Sequence, residues 1–196
     1  MHRLPTDTDN GMLLIMSGPS GVGKTTIARA IERTIADAVF SVSATTRQPR
    51  PGDTEGVDYY FLAPDEFERR VQAGEFLEHA EFAGNHYGTL RAPAEEQLRR
   101  GRLMLLDIDV EGAKQIKAQI PDAFAIFILP PSEDELLKRL RERKSDSEEA
   151  ITKRFEVARH EIAEAKRSGA YDAFIVNDTL ERAIEEALSL ITAARK

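Results

Sequence analysis

Short apolar runs alternate along the chain with stretches whose apolar residues return every three or four positions. Met12–Ser17 is one such run. A glycine-rich turn follows, and then Ile27, Ala28, Ile31 and Ile35 at helical spacing, so strand, loop and helix are predicted in that order. Val39–Ser43, Leu103–Ile108, Ala123–Leu129 and Phe174–Val176 read as further strands, short and apolar as strands covered on both faces are. Two helix starts carry capping-box spacing, Ser132 with Glu135 after Pro131 and Asp178 with Glu181, and the last helix repeats Leu180, Ile184, Leu188 and Ile191. Strands alternating with helices predict an α/β fold built on a doubly wound parallel sheet.

Two stretches break the rhythm. Thr45–Gly88 is rich in Arg, Gly, Pro and aromatics, with one short helical pattern over Asp65–Val71, and it stands where a βα crossover belongs; it reads as an inserted subdomain. Arg139–Arg154 is dense in charge and poor in apolar residues, which predicts a mobile, solvated lid between two helices. The expected organisation is a flexible tail at 1–10 and a single domain at 11–196. Within that domain the core is 11–43 and 91–196, the insert about 44–90 and the lid about 139–154.

Composition adds exclusions. With 196 residues, 41% hydrophobic and 31% charged, the chain is long and apolar enough for one sizeable core. Its 27 Lys and Arg against 34 Asp and Glu leave a net charge of −7, which argues against nucleic acid or an anionic membrane surface as partner; a polyanion site must be a local basic cluster. No cysteine is present, so disulfides, zinc-thiolate sites and thiol nucleophiles are excluded, and a reducing cytoplasm is the expected compartment. The longest apolar run, Ala123–Leu129, is too short to span a bilayer, and the four histidines are not spaced as metal ligands.

Chemistry enters at Gly18-Pro19-Ser20-Gly21-Val22-Gly23-Lys24-Thr25, continued by Thr26. The string fits the phosphate-loop pattern and stands between a predicted strand and a predicted helix, the context that gives the pattern meaning. Its glycines let consecutive N–H groups turn toward phosphate oxygens, and the helix N-terminus adds the positive end of its dipole. Lys24 is placed to reach the β and γ phosphates and the Thr25 hydroxyl to hold Mg²⁺, which makes the chain a user of nucleoside triphosphate with Mg²⁺ as cofactor.

The insert bears on the acceptor, because Ser43, Arg47, Arg50, Tyr59, Glu78, Tyr87 and Thr89 fall close together in sequence. The segments VSATTRQPRPG, DYYF, FLEHAEFAGNHYGT, LDIDVEG and IVND, following SGPSGVGKTT in that order, resemble those of guanylate kinases, over nearly the whole chain from about Leu13 to Asp178. The resemblance implies a P-loop nucleoside monophosphate kinase whose insert binds GMP, with ATP as the second substrate. In that frame Ser43, Arg47, Arg50, Tyr59, Glu78, Tyr87 and Thr89 surround GMP. A carboxylate such as Glu78 accepts from guanine N1–H and N2–H₂ while the Ser43 or Thr89 hydroxyl serves O6, a pairing adenine cannot make. Asp109 is implied to assist at the guanine amino group, and Arg47 and Arg50, with the Tyr59 and Tyr87 hydroxyls, to hold the GMP phosphate, for which a planar bidentate donor suits better than a lysine.

Phosphoryl transfer needs positioning and charge neutralisation rather than an enzyme nucleophile, so direct in-line attack by the GMP phosphate on the γ-phosphorus of ATP is expected. Asp107, near the carboxyl end of its strand, is placed to approach Mg²⁺ through water. The resemblance further implies that Arg139, Arg143 and Arg154 gather on the ATP phosphates and that Asn177 lies near adenine, although a turn or cap role suits Asn177 nearly as well. Closure of insert and lid would exclude water, with hinges near Ala44 and Tyr87–Arg91. Lys144 replaces a frequent Gly and Glu111 a frequent Gln of the family. A protein- or phosphopeptide-binding module on the same fold is the alternative from another class, disfavoured by the intact loop. The Asn-Lys-x-Asp segment a GTPase needs is absent, and an adenylate or thymidylate kinase would leave Glu78 with Ser43 unexplained. Monomer or homodimer, and dGMP beside GMP, stay open.

Overall fold

The period-two alternation in the first strand sorts its side chains onto two faces, and a separate core grows on each. The structure, a computed structural model, describes residues 11–142 and 147–196. In β1 (Met12–Ser17), Leu14 and Met16 point to one side and Leu13 and Ile15 to the other. The first side is closed by α1 (Lys24–Thr34) and α7 (Leu180–Ala194), through Ile27, Ala28, Ile31, Ala183, Ala187 and Ile191. The second is closed by α3 (Arg91–Arg99) and α4 (Val110–Gln119), through Ala94, Ala113 and Ile116. Burial on both faces explains why the strands read as continuous apolar runs.

The central sheet has the order β2-β7-β1-β8-β9 and every pairing in it is parallel, with β2 Ala38–Phe40, β7 Leu103–Asp107, β8 Phe124–Leu129 and β9 Ala173–Val176. All five expected strands are present, and helices cover both faces, as a doubly wound sheet requires. Met16 pairs with Asp107, so the carboxyl ends of β1 and β7 emerge side by side. Ligands of open α/β sheets bind beyond those ends.

The second strand stops earlier than its apolar run suggests. Ser41 N–H still donates to the Leu105 carbonyl at 2.8 Å, but the Ser43 carbonyl already accepts from Tyr60 N–H at 2.9 Å in the other sheet. One apolar run thus feeds two sheets, which pattern alone does not divide. The second sheet has the order β4-β3-β6-β5, from β3 (Ala44–Thr45), β4 (Tyr60–Phe61), β5 (Phe76–Phe82) and β6 (Asn85–Leu90). With α2 (Pro64–Gln72) it closes a small core of Ala44, Phe67 and Phe76. Its edge strand β5 docks on α4: Gln115 both donates to the His79 carbonyl at 2.9 Å and accepts from His79 N–H at 3.1 Å, and Gln119 donates to the Leu77 carbonyl at 2.7 Å. Side-chain amides there satisfy the backbone groups a neighbouring strand would take.

Two expectations at helix ends are corrected. The cap of α7 is Thr179 rather than Asp178, and it makes no side-chain capping bond; the Asp178 carboxylate is instead engaged by Thr179 N–H and Arg182. Ser132 does cap α5 (Glu133–Glu142), accepting from Glu135 N–H at 3.1 Å, but the Glu135 carboxylate turns to Arg139 rather than back to the cap. The expected lid divides between α5 and α6 (Glu148–Ser168): Leu140 and Ile151, within the stretch read as solvated, are buried together with Leu136 and Ala158. Residues 1–10, Arg143 and Lys144 lie outside the described residues.

Candidate active site

The loop between β1 and α1 wraps one end of a cleft of about 470 Å³. Gly18, Pro19, Ser20, Gly21, Gly23, Lys24, Thr25 and Thr26 line it, whereas Val22 turns inward and is fully buried. Gly23 caps α1 with φ 92, a left-handed conformation, and a Cβ there would stand 2.6 Å from Nδ2 of Asn177. That amide donates to the Val22 carbonyl at 2.7 Å, bracing the loop from β9.

Three loop and strand-end groups meet at the cleft floor. Asp107 accepts from the Thr25 hydroxyl at 2.9 Å through Oδ2, and its Oδ1 lies 3.1 Å from the Lys24 ammonium. Lys24 also donates to the Gly18 carbonyl at 3.3 Å. A hydroxyl and a carboxylate converging here are the hard oxygen donors Mg²⁺ takes. Among the described residues no group of three or more His, Cys, Asp or Glu could hold a metal alone, so further ligands must come from water or substrate phosphates, as is usual for Mg²⁺. The donor set fits the ion.

Ser43, together with Tyr59, Glu78 and Tyr87 from the insert, lines the same cleft, and Asp109 joins them from the start of α4. Glu78 is buried and accepts from the Thr89 hydroxyl at 2.7 Å. Burial pushes its carboxyl up to about 7; the Thr89 bond opposes this and the Asp109 charge adds to it. Asp109 caps α4 through Oδ1, accepting from Gly112 N–H at 2.7 Å. Gly112 leaves room for the acid pair, since a Cβ there would stand 2.8 Å from Glu78 Oε2 and 3.3 Å from Asp109 Oδ1.

Arg47 pairs with Asp53 at 2.9 Å and lies over the Tyr59 ring, 5.1 Å from its centroid. Asp53 also accepts from Arg50 N–H at 2.7 Å, so one carboxylate orders the arginine-bearing loop. Burial pushes the Tyr59 phenol up, which keeps it a hydrogen-bond donor across the neutral range. The structure thus gathers Ser43, Tyr59, Glu78, Tyr87, Asp107 and Asp109 with the loop in one cleft, and places Thr89 just behind Glu78. Arg47, Arg50, Arg139, Arg154 and Asn177 are not among the lining residues.

Arg139 nevertheless adjoins the loop: it donates to the Asn177 carbonyl at 3.1 Å and to Glu135 at 3.0 Å, and Leu140 beside it packs 3.3 Å from where a Cβ on Gly21 would stand. Sequence reasoning missed Asp53, Gly112, Phe82 and Glu161. Phe82 and Glu161 line the cleft from β5 and α6; Phe82 stands inside FLEHAEFAGNHYGT without a role assigned to it there, and Glu161 lies in none of the quoted segments.

One cleft lined at once by a phosphate loop and by polar side chains of the second sheet puts the chain in the class of P-loop phosphotransferases. Residues 10–194 match the family model described as guanylate kinase. A guanylate kinase of Thermobifida fusca is 48% identical over 92% of this chain and 91% of its own, and one of Thermus thermophilus is 49% identical over 95% and 83%. The crystal structure of guanylate kinase from Anaplasma phagocytophilum superposes with a TM-score of 0.74 at 34% identity, covering 96% of this chain and 88% of that one. The chain belongs to the guanylate kinase family.

Proposed function

We propose that this cleft transfers the γ-phosphoryl group of ATP to a phosphate oxygen of GMP in line and without an enzyme nucleophile, giving ADP and GDP. The observation that carries the acceptor assignment is Glu78, a buried carboxylate with one oxygen tied to Thr89 and the other facing the gap left by Gly112. A carboxylate so held accepts two bonds from guanine N1–H and N2–H₂ while the Ser43 hydroxyl serves O6, Thr89 having given its one proton to Glu78; adenine would meet the carboxylate with a lone pair. Asp109 assists at the guanine amino group. Arg47, Arg50, Tyr59 and Tyr87 take the GMP phosphate, Arg47 and Arg50 turning from the Asp53 loop to do so.

At the other end, loop N–H groups from Gly18 to Thr26 and the Lys24 ammonium bind the ATP phosphates. Thr25 and Asp107 would hold Mg²⁺, the latter through water, and the ion when bound neutralises phosphate charge. Arg139, Arg143 and Arg154 add positive charge at the transferring group, the in-cis counterpart of an arginine finger. Asn177 reaches ATP indirectly, by fixing the loop carbonyl of Val22. Closure of the insert, residues about 44–90, and the lid, about 139–154, excludes water from the transfer.

A protein- or phosphopeptide-binding module on this fold is not favoured, because Lys24, Thr25 and Asp107 are all present and Asp107 contacts the other two in the cleft. The test is ADP formation from MgATP with GMP, dGMP, AMP, CMP, UMP and dTMP as separate acceptors. Turnover selective for the guanine nucleotides is expected; equal use of AMP would remove the Glu78 assignment, and no turnover with tight GMP binding would favour the module.

A further inference from the structure

The cleft floor contains an acid that the reaction as described leaves unused. Glu161 projects from α6 into the cleft that Lys24 and Asp109 also line, and both of those charges bear on its carboxyl. It sits seven residues after Arg154, two helical turns, so the two residues share one face of α6. Its neighbours Ile162 and Ala165 pack against Val110 and Phe127, and α6 is tied to α4 by Lys114 with Glu164 at 3.2 Å. Burial raises the carboxyl of Glu161, the nearby ammonium of Lys24 lowers it and Asp109 raises it.

Lys24 faces a change of partner during the reaction. In this structure its ion pair is with Asp107, the carboxylate that must serve Mg²⁺ once ATP is bound. Asp109 has Oδ1 committed to the α4 N-terminus. Glu161 lines the same cleft, and its carboxyl and the Lys24 ammonium act on each other there, so it is an acid that can attract the ammonium while Asp107 is engaged elsewhere.

We propose that Glu161 is a positioning residue for the transfer: its carboxylate, fixed at the cleft floor by α6, orients the Lys24 ammonium as that group passes from Asp107 to the phosphates. The inference rests on the ATP-to-GMP reading above. It also links the helix carrying Arg154 to the phosphate-loop lysine through one side chain.

The test is a double-mutant cycle on GDP formation from MgATP and GMP, followed by single-turnover measurement where rates are low. Glu161→Gln and Glu161→Ala are each made beside native Lys24 and beside Lys24→Arg. Both are expected to lower kcat about tenfold beside Lys24, with the KM values for ATP and GMP moving less than about twofold. Beside Lys24→Arg the same changes are expected to alter kcat less than about twofold, since contacting residues couple and independent ones add. A Gln variant with native kcat where Ala loses it would show a packing role and overturn the proposal. So would an equal loss in both backgrounds. If the unaltered enzyme makes no GDP, the underlying reading fails and this inference with it; an active enzyme indifferent to Glu161→Gln overturns the inference alone.

Discussion

Asn177 holds the Val22 carbonyl with its side-chain amide at 2.7 Å, joining the end of the outermost strand β9 to the phosphate loop, and its own carbonyl accepts from Arg139 at 3.1 Å. One residue therefore braces the loop at Val22 and seats Arg139. Its burial means that truncation leaves the Val22 carbonyl unpaired. Asn177→Ala is expected to cost about 1–3 kcal/mol of stability. It should also raise the KM for ATP severalfold while leaving that for GMP unchanged. Thermal unfolding with separate ATP and GMP titrations checks this; an equal rise in both KM values would place Asn177 outside the ATP half.

If Glu78 reads guanine as proposed, recognition of the base is expected to depend on pH. Burial, with a smaller contribution from Asp109, holds its carboxyl near about 7, but the base requires two acceptor oxygens and hence the ionised form. GMP affinity is expected to rise between pH 6 and 8, and Glu78→Gln to abolish that rise while lowering kcat/KM for GMP about 10²-fold or more. The sign for stability is opposite. A carboxyl raised on folding favours the folded state while protonated, so this contribution is complete below the unfolded value near 4.5 and is lost as pH climbs to about 7. The empty enzyme should lose melting temperature across that window relative to Glu78→Gln; parallel curves for the two proteins would contradict the buried acid.

Asp107 joins the cation-handling groups. It bonds Thr25 and Lys24 directly, so Asp107→Asn keeps the shape but weakens both the oxygen site and the hold on the ammonium. A fall in kcat of about 10²–10³-fold is expected, the scale for losing one preorganised electrostatic group. GMP binding measured without ATP should stay native. Chelation of divalent cations should stop turnover of the unaltered enzyme, and restored Mg²⁺ should rescue it fully, whereas the variant should need more Mg²⁺ for half its maximal rate.

What the chain disclosed before folding follows from how local each feature is. The phosphate loop was legible because strand, glycines, lysine and helix are contiguous, and the five sheet strands because burial on both faces leaves unbroken apolar runs. Ser43 lines the cleft together with Glu78 and Tyr87, yet the run that carries it is not one strand, since Val39–Ser43 splits between two sheets and only hydrogen bonding divides it. The lid reading undercounted Leu140 and Ile151, whose partners lie on different helices. Gly112 and Glu161 gain their meaning from groups that tertiary packing brings near, whereas Asp53 meets Arg47 and Arg50 within its own loop and only the folded geometry of that loop shows the pairing.

Gly112 offers the sharpest separation of acceptor recognition from stability. It lies inside α4, with no left-handed conformation to protect, and alanine is the better helix former by about 1 kcal/mol. A Cβ there would nevertheless stand 2.8 Å from Glu78 Oε2, closer than nonbonded atoms tolerate. Glu78 cannot swing away freely, because it is buried and its other oxygen is held by Thr89 at 2.7 Å. Gly112→Ala is therefore expected to displace the guanine acceptor and raise the KM for GMP about 10–100-fold, with the KM for ATP native. Its melting temperature should fall only slightly, the helix gain of about 1 kcal/mol offsetting part of the cost of displacing the buried carboxylate. Paired GMP and ATP titrations with a melting curve decide it. A native KM for GMP would mean that guanine does not depend on the Glu78 carboxylate as placed here, while a collapsed melting temperature would mean that the methyl group disrupts α4 itself.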